Sequence, residues 1–291
     1  MQIPREQVPV FEGALHSIGA LSVSLADSAD HPVLEPGVGE TPLWPEVTIT
    51  GLFENTHRTD DLLASLCAEA PGARMLEARV TELRDQDWTR AWMDDFKPMQ
   101  FGKRLWVVPR DHAVPENAEK VIQLDPGLAF GSGTHPTTRL CLEWLESQSL
   151  KGCSVLDYGC GSGILAIAAA VLGAKQVTGL DNDPQALISS RSNAANNAVA
   201  EQVEVRGPGP MSGLQYDVIL ANILAGALIE LARGFSELCR PAGQIALSGI
   251  MYTQAEDVKA AYRPWFDGFE TMQFEEWVLI TAVRSAQEGQ A

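Results

Sequence analysis

The chain has 291 residues, of which 45% are hydrophobic and 20% are charged, so its composition is globular and excludes a disordered or fibrous protein. Its 38 acidic and 21 basic residues leave a net charge of −17, which disfavours direct nucleic-acid binding, because phosphate affinity requires a basic surface. An acidic protein attracts cations instead, including basic proteins.

Residues 1–84 are predicted to form a small α+β domain. The pattern gives no strand before the first helix. Residues 1–100 carry 17 acidic and 7 basic residues, and this excess favours either solubility or a first domain that binds a basic partner. The predicted elements are a helix over 6–16, strands over 20–26 and 47–53, a helix from 60 to 70, and a strand over 75–83.

Residues 85–120 are predicted to be a linker, with a helix over 85–96 and a strand over 105–108. Trp88, Trp92 and Met93 fall at helical spacing there and favour a packing face over a ligand site.

Residues 121–291 are predicted to form the larger domain. After a strand over 121–124, helices and strands alternate up to residue 262, which predicts a mainly parallel, doubly wound α/β sheet. The two closing strands, 269–274 and 276–283, have no helix between them and predict an antiparallel hairpin at its edge.

A glycine-rich loop follows the strand over 154–157. Gly159, Gly161 and Gly163 give the spacing G-x-G-x-G, whereas a dinucleotide fingerprint requires glycine where Ile164 stands. Asp157, two residues before the first glycine, is unfavourable beside a pyrophosphate and favourable beside a cationic amine. S-adenosylmethionine has such an amine and a sulfonium, and it has no phosphate.

Two further polar residues follow the neighbouring strands. Asp181 directly follows the strand over 176–180, and an acid at that position accepts hydrogen bonds from ribose hydroxyls. Asp183 is the weaker candidate, because it is better explained as an acid in the first turn of the next helix. Asn222 closes the strand over 217–221 and is predicted to hold the cofactor or to accept from a substrate amine. A helix N-cap is the competing explanation for Asn222.

The segment over 124–138 holds three glycines and two prolines and is predicted to be a shaped loop that opens a helix. Thr137 and Thr138 at the helix start could bind the cofactor. Phe130 is predicted to cover the adenine or the methyl donor. His135 is better explained as structural.

The five cysteines are odd in number and none has C-x-x-C spacing, which predicts buried thiols and no zinc site. No metal site is expected. The longest apolar run is far shorter than a membrane span, and no secretory signal is visible, so a cytoplasmic protein is expected.

These segments resemble the bacterial ribosomal protein L11 methyltransferases, the PrmA family. The matching stretches are LDPGLAFGSGTHPTT (124–138), VLDYGCGSGILAIAA (155–169), GLDNDPQAL (179–187), ANILAG (221–226), WMDDF (92–96), FGKRLWV (101–107), LSGI (247–250) and EEW (275–277). The resemblance covers most of residues 40–283. Ser132 stands where the family usually has threonine.

The resemblance implies a seven-stranded Rossmann-like methyltransferase sheet and transfer of methyl groups from S-adenosylmethionine to amino groups of L11. Lysine side chains and the N-terminal amine are the implied acceptors, and the small first domain is implied to recognise L11. Thr138, Gly159, Asp181 and Asn222 match the family's cofactor-binding positions, and Asp157, Gly161 and Phe130 join them from the reasoning above. No residue is identified as a general base. A monomer is expected.

Three alternatives remain at this stage. A methyltransferase acting on another protein or on a small molecule is disfavoured only by the flanking segments and the acidic first domain. A nicotinamide-dependent dehydrogenase is disfavoured by Asp157 and by the glycine spacing. A non-catalytic binding protein is disfavoured by the presence of Asp157, Asp181 and Asn222.

Overall fold

A computed structural model describes residues 1–29, 42–56, 58–83, 97–124 and 133–286. The chain divides into two compact units, Met1–Gln86 and Asp87–Ala291. The helix predicted over 85–96 lies outside the described residues, and the domain boundaries proposed at 84 and 120 stay predictions.

The first unit is a small antiparallel sheet with two helices. Its strands pair in the order β1-β3-β2. Phe11 and Leu15 of α1, Ile49 of β3 and Leu66 of α2 are buried in one cluster, so the apolar faces of sheet and helices meet. Its elements are β1 (Gln2–Pro4), α1 (Val8–Ser17), β2 (Ser22–Asp27), β3 (Glu46–Leu52) and α2 (Thr59–Glu69).

Two predictions for this unit were wrong. Strand β1 precedes the first helix and pairs with β3, although its three residues, ending in Pro4, are too few to show an alternating pattern. The strand predicted over 75–83 does not form: a 3-10 helix covers Pro71–Met75, and 76–83 has no regular structure. Val80 and Leu83 are exposed, so that alternation of residue types does not mark a buried face.

The second unit carries the remaining elements. Strands β4, β5 and β6 form a separate three-stranded sheet, and the seven strands from β7 to β13 form the main sheet. The elements are β4 (Met99–Phe101), β5 (Leu105–Val108), β6 (Lys120–Gln123), α3 (Pro136–Ser147), β7 (Ser154–Tyr158), α4 (Ile164–Val171), β8 (Gln176–Leu180), α5 (Pro184–Asn196), β9 (Val203–Arg206), β10 (Tyr216–Asn222), α6 (Ala225–Leu238), β11 (Cys239–Met251), α7 (Ala255–Tyr262), β12 (Phe266–Phe274) and β13 (Trp277–Arg284).

The main sheet has the strand order β12-β13-β11-β10-β7-β8-β9. Five neighbouring strands of this sheet, β9, β8, β7, β10 and β11, are parallel to one another. Strands β13 and β12 lie beyond β11 and form the predicted antiparallel hairpin. The chain runs outward from β7 through β8 and β9, then returns to place β10 on the other side of β7. The strand order therefore reverses between β7 and β10, where open α/β sheets bind their ligands.

Both faces of this sheet are covered, which explains the continuous apolar runs of its central strands. Along β10, Val218 and Leu220 belong to the core that includes α3 and α4, whereas Ile219 and Ala221 belong to the core that includes α6 and α7. The sheet is thereby held rigidly on both sides, and its carboxyl edge is a fixed platform for a site.

All five cysteines lie in the described ranges and are free thiols. Within those ranges, no group of three or more histidine, cysteine or acidic residues is arranged to hold a metal ion. No helix in the described part of the chain is long and apolar enough to cross a membrane.

Candidate cofactor site

The glycine loop between β7 and α4 lies at the switch point of the sheet. Gly159, Gly161 and Gly163 all have positive φ angles, of 77°, 53° and 82°. The amide of Gly159 donates to the carbonyl of Leu180 at 2.7 Å. A Cβ on Gly159 would lie 2.4 Å from the side chain of Ile223, just after β10, so this position requires glycine for its backbone conformation and for its space.

Helix α5 stabilises the glycine loop over 159–163 through two side-chain hydrogen bonds. The Ser190 hydroxyl donates to the carbonyl of Gly161 at 2.8 Å, and the Asn193 amide donates to the carbonyl of Ser162 at 2.9 Å. Sequence reasoning missed both residues. Both are buried polar residues, which need partners, but their burial follows from the packing of α5 and is not marked by a local pattern in the sequence.

Asp157 lies beneath the loop, at the end of β7, and is 1% exposed. Its Oδ2 accepts from the amide of Ala166 at 2.9 Å, in the first turn of α4. Its Oδ1 has no hydrogen-bond partner among the described residues. Burial raises the pKa of Asp157 to about 7; the bond from Ala166 opposes this rise, and the nearby charge of Asp181 adds to it.

Asp181 lies directly after β8 and is half-buried. Its Oδ2 accepts from the amide of Gly161 at 2.8 Å, and its Oδ1 accepts from the amide of Asp183 at 2.9 Å. Each carboxylate oxygen has a second lone pair, so both can still accept hydrogen bonds from ribose hydroxyls. Asp183 caps α5 and accepts from the amide of Gln185 at 2.9 Å, as expected for a structural acid.

Asn222 meets Thr138 across the switch point. Its Nδ2 donates to the Thr138 hydroxyl at 3.4 Å, so the end of β10 and the start of α3 are joined. Thr138 is buried. Asn222 is not the N-cap of the next helix: α6 begins at Ala225, and Leu224 occupies the cap position without a side-chain bond. The capping explanation for Asn222 is therefore wrong.

Gly249 supports the segment that follows Asn222. It has a φ of 82°, and a Cβ there would lie 2.3 Å from the carbonyl oxygen of Ile223. The amide of Ile223 donates to the carbonyl of Ser248 at 3.1 Å. The LSGI stretch therefore contains a glycine because β11 passes directly against the backbone that carries Asn222.

His135 is the N-cap of α3. Its Nδ1 accepts from the amide of Thr137 at 3.3 Å, and its ring packs edge-on against Trp277 with centroids 4.9 Å apart. Burial lowers the pKa of His135, although the charges of Glu276 and Glu275 oppose this. A neutral ring is required for Nδ1 to accept, so the geometry and the direction of the pKa shift agree.

The predicted site residues converge from four segments of the second unit. Gly161 contacts Asp181, Asn222 contacts Thr138, and Gly159 packs against the residue after Asn222. Asp157 lies buried beneath the same loop. Phe130, the remaining predicted residue, lies outside the described residues.

The arrangement fits S-adenosylmethionine better than a dinucleotide. A buried carboxylate with one oxygen free of partners among the described residues suits a cation. Asp181 suits ribose hydroxyls, which both cofactors carry, and does not distinguish them. The loop over 159–163 departs from the glycine spacing of the dinucleotide fingerprint, and Asp157 beneath it is unfavourable beside a pyrophosphate. These observations disfavour the dehydrogenase.

Comparison with known proteins decides the family. The model of the family described as ribosomal protein L11 methyltransferase (PrmA) matches residues 1–285. The chain belongs to this family. It is 50% identical over 287 residues to the ribosomal protein L11 methyltransferase of Pseudomonas aeruginosa. The aligned region covers 98% of this chain and 97% of that protein. The Marinobacter nauticus enzyme is 48% identical over 290 residues, with the same coverage.

A solved structure agrees with this assignment. The crystal structure of the ribosomal protein L11 methylase from Lactobacillus delbrueckii subsp. bulgaricus has a TM-score of 0.60 and 32% identity, covering 65% of this chain and all of that one. The predicted α/β fold, PrmA membership, enzyme class and cofactor are thereby confirmed. The chain is an S-adenosylmethionine-dependent methyltransferase.

Proposed function

We propose that this PrmA-family enzyme methylates amino groups of ribosomal protein L11, on lysine side chains, on the N-terminal amine or on both. The observation that carries the proposal is the meeting of Thr138, Asn222, Asp181 and the glycine loop at the switch point of a chain that matches this family over 285 residues. S-adenosylmethionine supplies an electrophilic methyl group on a sulfonium.

The cofactor-binding roles follow from the chemistry of each group. Asp181 accepts hydrogen bonds from the ribose, and the backbone of Gly159 and Gly161 allows close approach of the cofactor. Asp157 provides negative charge beneath the loop. Thr138 binds the cofactor at the start of α3 and also accepts the hydrogen bond from Asn222, and Phe130 is proposed to cover the cofactor.

Asn222 receives the amine. Because its Nδ2 donates to Thr138, its amide oxygen is the atom that can accept an N–H bond from the substrate. Such a bond would orient the nitrogen lone pair of the substrate amine, and positioning of this kind would supply much of the rate of methyl transfer. A lysine amine has a reference pKa of about 10.4, and its transfer into a water-poor cleft favours the neutral, nucleophilic form.

The first unit recognises the basic substrate. Residues 1–84 carry 13 acidic and 5 basic residues, so this unit attracts a cationic protein by charge. The same charge disfavours direct contact with nucleic acid. We propose that the enzyme acts as a monomer in the cytoplasm.

The test is transfer of radiolabelled methyl groups from S-adenosylmethionine to purified L11, followed by mass spectrometry of the product. Label is expected on lysine side chains or on the N-terminal amine of L11. A cell extract from a strain that lacks the enzyme is the parallel substrate. Label on another extract protein, with none on purified L11, would contradict the proposed substrate and leave the cofactor assignment intact.

A further inference from the structure

The buried carboxylate of Asp157 has two differently placed oxygens. Oδ2 is bonded to the first turn of α4, and Oδ1 lies buried without a hydrogen-bond partner among the described residues. An ionised carboxylate in this position is costly, because the second oxygen loses its water and gains no donor. The side chain therefore needs either a proton or a cation.

The surrounding groups add no positive charge. Asp181 lies beside Asp157 at the end of β8, and the thiols of Cys141 on α3 and Cys160 in the loop are the other titratable groups that it influences. Burial raises the pKa of Cys160 to about 12 and raises that of Cys141, so both thiols stay protonated. No lysine, arginine or histidine among the described residues contributes to the pKa of Asp157.

We propose that cofactor binding is coupled to proton release at Asp157: below neutral pH the carboxyl group is protonated in the free enzyme and ionised in the complex. This inference rests on the proposed binding of S-adenosylmethionine at the loop. The cofactor brings a sulfonium and an ammonium, whose positive charges favour the carboxylate form. The O–H bond of Asp157 breaks, and the proton passes to the solvent buffer.

The coupling fixes the sign of the pH dependence. With a pKa of about 7 in the free enzyme, Asp157 must lose its proton on binding at lower pH, so affinity falls as pH falls. Cofactor affinity is expected to rise about fivefold from pH 6 to pH 7. The α-amino group of the cofactor has a reference pKa of about 7.7–8.0, so it stays protonated over this pH range and its titration does not account for the expected change in affinity.

The test is isothermal titration of S-adenosylmethionine into the full-length enzyme at pH 6.5, in phosphate and in imidazole. These buffers differ in ionisation enthalpy, so the difference in observed binding heat counts the protons exchanged. Release of between about half a proton and one proton is expected. Binding of the cofactor without proton release overturns the inference and leaves the proposed function standing. Failure to bind overturns both.

Two variants assign the proton to its residue. Asp157→Asn is expected to bind without proton release and with affinity independent of pH between 6 and 7. Asp183→Asn removes an exposed carboxylate near the loop and keeps a good helix cap, so its proton release is expected to equal that of the wild type. Equal release by Asp157→Asn and wild type would place the proton elsewhere and overturn the assignment. If Asp157→Asn does not fold, the wild-type affinity between pH 6 and pH 7 is the second measurement: a rise of about fivefold is expected, and affinity independent of pH overturns the inference.

Discussion

At the scale of single residues, Gly249 shows how backbone space supports the site. The carbonyl of Ile223 occupies the volume that a Cβ would need, and Ile223 directly follows Asn222. Any side chain at Gly249 must therefore displace the segment that holds Asn222. Its importance is invisible in the sequence, because a glycine at a strand end has many possible causes.

Gly249→Ala is expected to abolish most methylation and to lower the free energy of unfolding by about 2–4 kcal/mol, through left-handed backbone strain together with steric overlap. Methyl transfer to L11 and urea unfolding measure these effects. Gly152→Ala is the matched control, since Gly152 has nearly the same φ, 83°, and nothing within 4 Å of its Cβ position. Equal loss in both variants would show that strain alone, without overlap, explains the effect.

Asp157 gives the ligand-free enzyme a characteristic pH dependence of stability. Its folded-state pKa of about 7 lies above the unfolded value of about 3.9, so the protonated form stabilises the fold. This contribution is complete below about pH 4 and is lost as pH rises to about 7, by up to about 4 kcal/mol. Urea unfolding at pH 5 and pH 7.5 measures it. An equally steep decline in Asp157→Asn would contradict this origin.

At the scale of elements, α5 acts as a brace for the glycine loop. Ser190 donates to the carbonyl of Gly161, the residue whose amide donates to Asp181. The loop conformation is therefore fixed by a helix on one side and by the end of a strand on the other. A ligand meets a preformed loop and need not spend binding energy on ordering it.

Ser190→Ala is expected to weaken cofactor binding several-fold and to lower stability by about 1 kcal/mol, because a buried hydrogen bond to the loop is lost. Ser192→Ala, on the exposed side of the same helix, is the control and is expected to change neither. Titration calorimetry and urea unfolding measure both quantities. Unchanged affinity in Ser190→Ala would show that the loop holds its shape without this bond.

Elements with long, regular patterns were predictable from the sequence. The predicted alternation of helices and strands up to residue 262 is present, and the antiparallel hairpin β12–β13 follows from two strands with no helix between them. Strand β1 was not predictable, because three residues cannot show a period and its pairing with β3 is a contact across more than forty residues. The strand predicted over 75–83 was wrong for the opposite reason. The residue types there alternate as in a strand, but the apolar side chains Val80 and Leu83 are exposed and form no buried face.

The polar residues of the candidate site that lie at strand ends were predictable from the sequence, because their residue types indicate what they can bind. Asp157 is the last residue of a predicted strand, Asp181 and Asn222 each follow one, and the sheet topology brings those strand ends together. The supporting contacts of Ser190, Asn193 and Gly249 depend on how α5 and β11 pack, and no local pattern specifies that packing.

At the scale of the whole molecule, the two units each have a core of their own. All the candidate cofactor residues within the described ranges belong to the second unit. Cofactor binding and substrate recognition are therefore expected to be separable.

A protein consisting of residues 87–291 is expected to bind S-adenosylmethionine with unchanged affinity and to lose methylation of L11. Calorimetry measures the first property and radiolabel transfer the second, with circular dichroism to verify folding. The full chain is the reference for both. L11 methylation at the full rate by the shortened protein would contradict substrate recognition by the first unit.

The order of the main sheet leaves β9 and β12 as its outermost strands. Such strands can pair with those of another copy, and charged side chains on them oppose this. Glu204 on β9 and Asp267 and Glu270 on β12 provide carboxylates there, on a chain whose isoelectric point is about 4.6. These charges oppose pairing between copies, so the colloidal stability of concentrated solutions depends on carboxylates that take no part in methyl transfer.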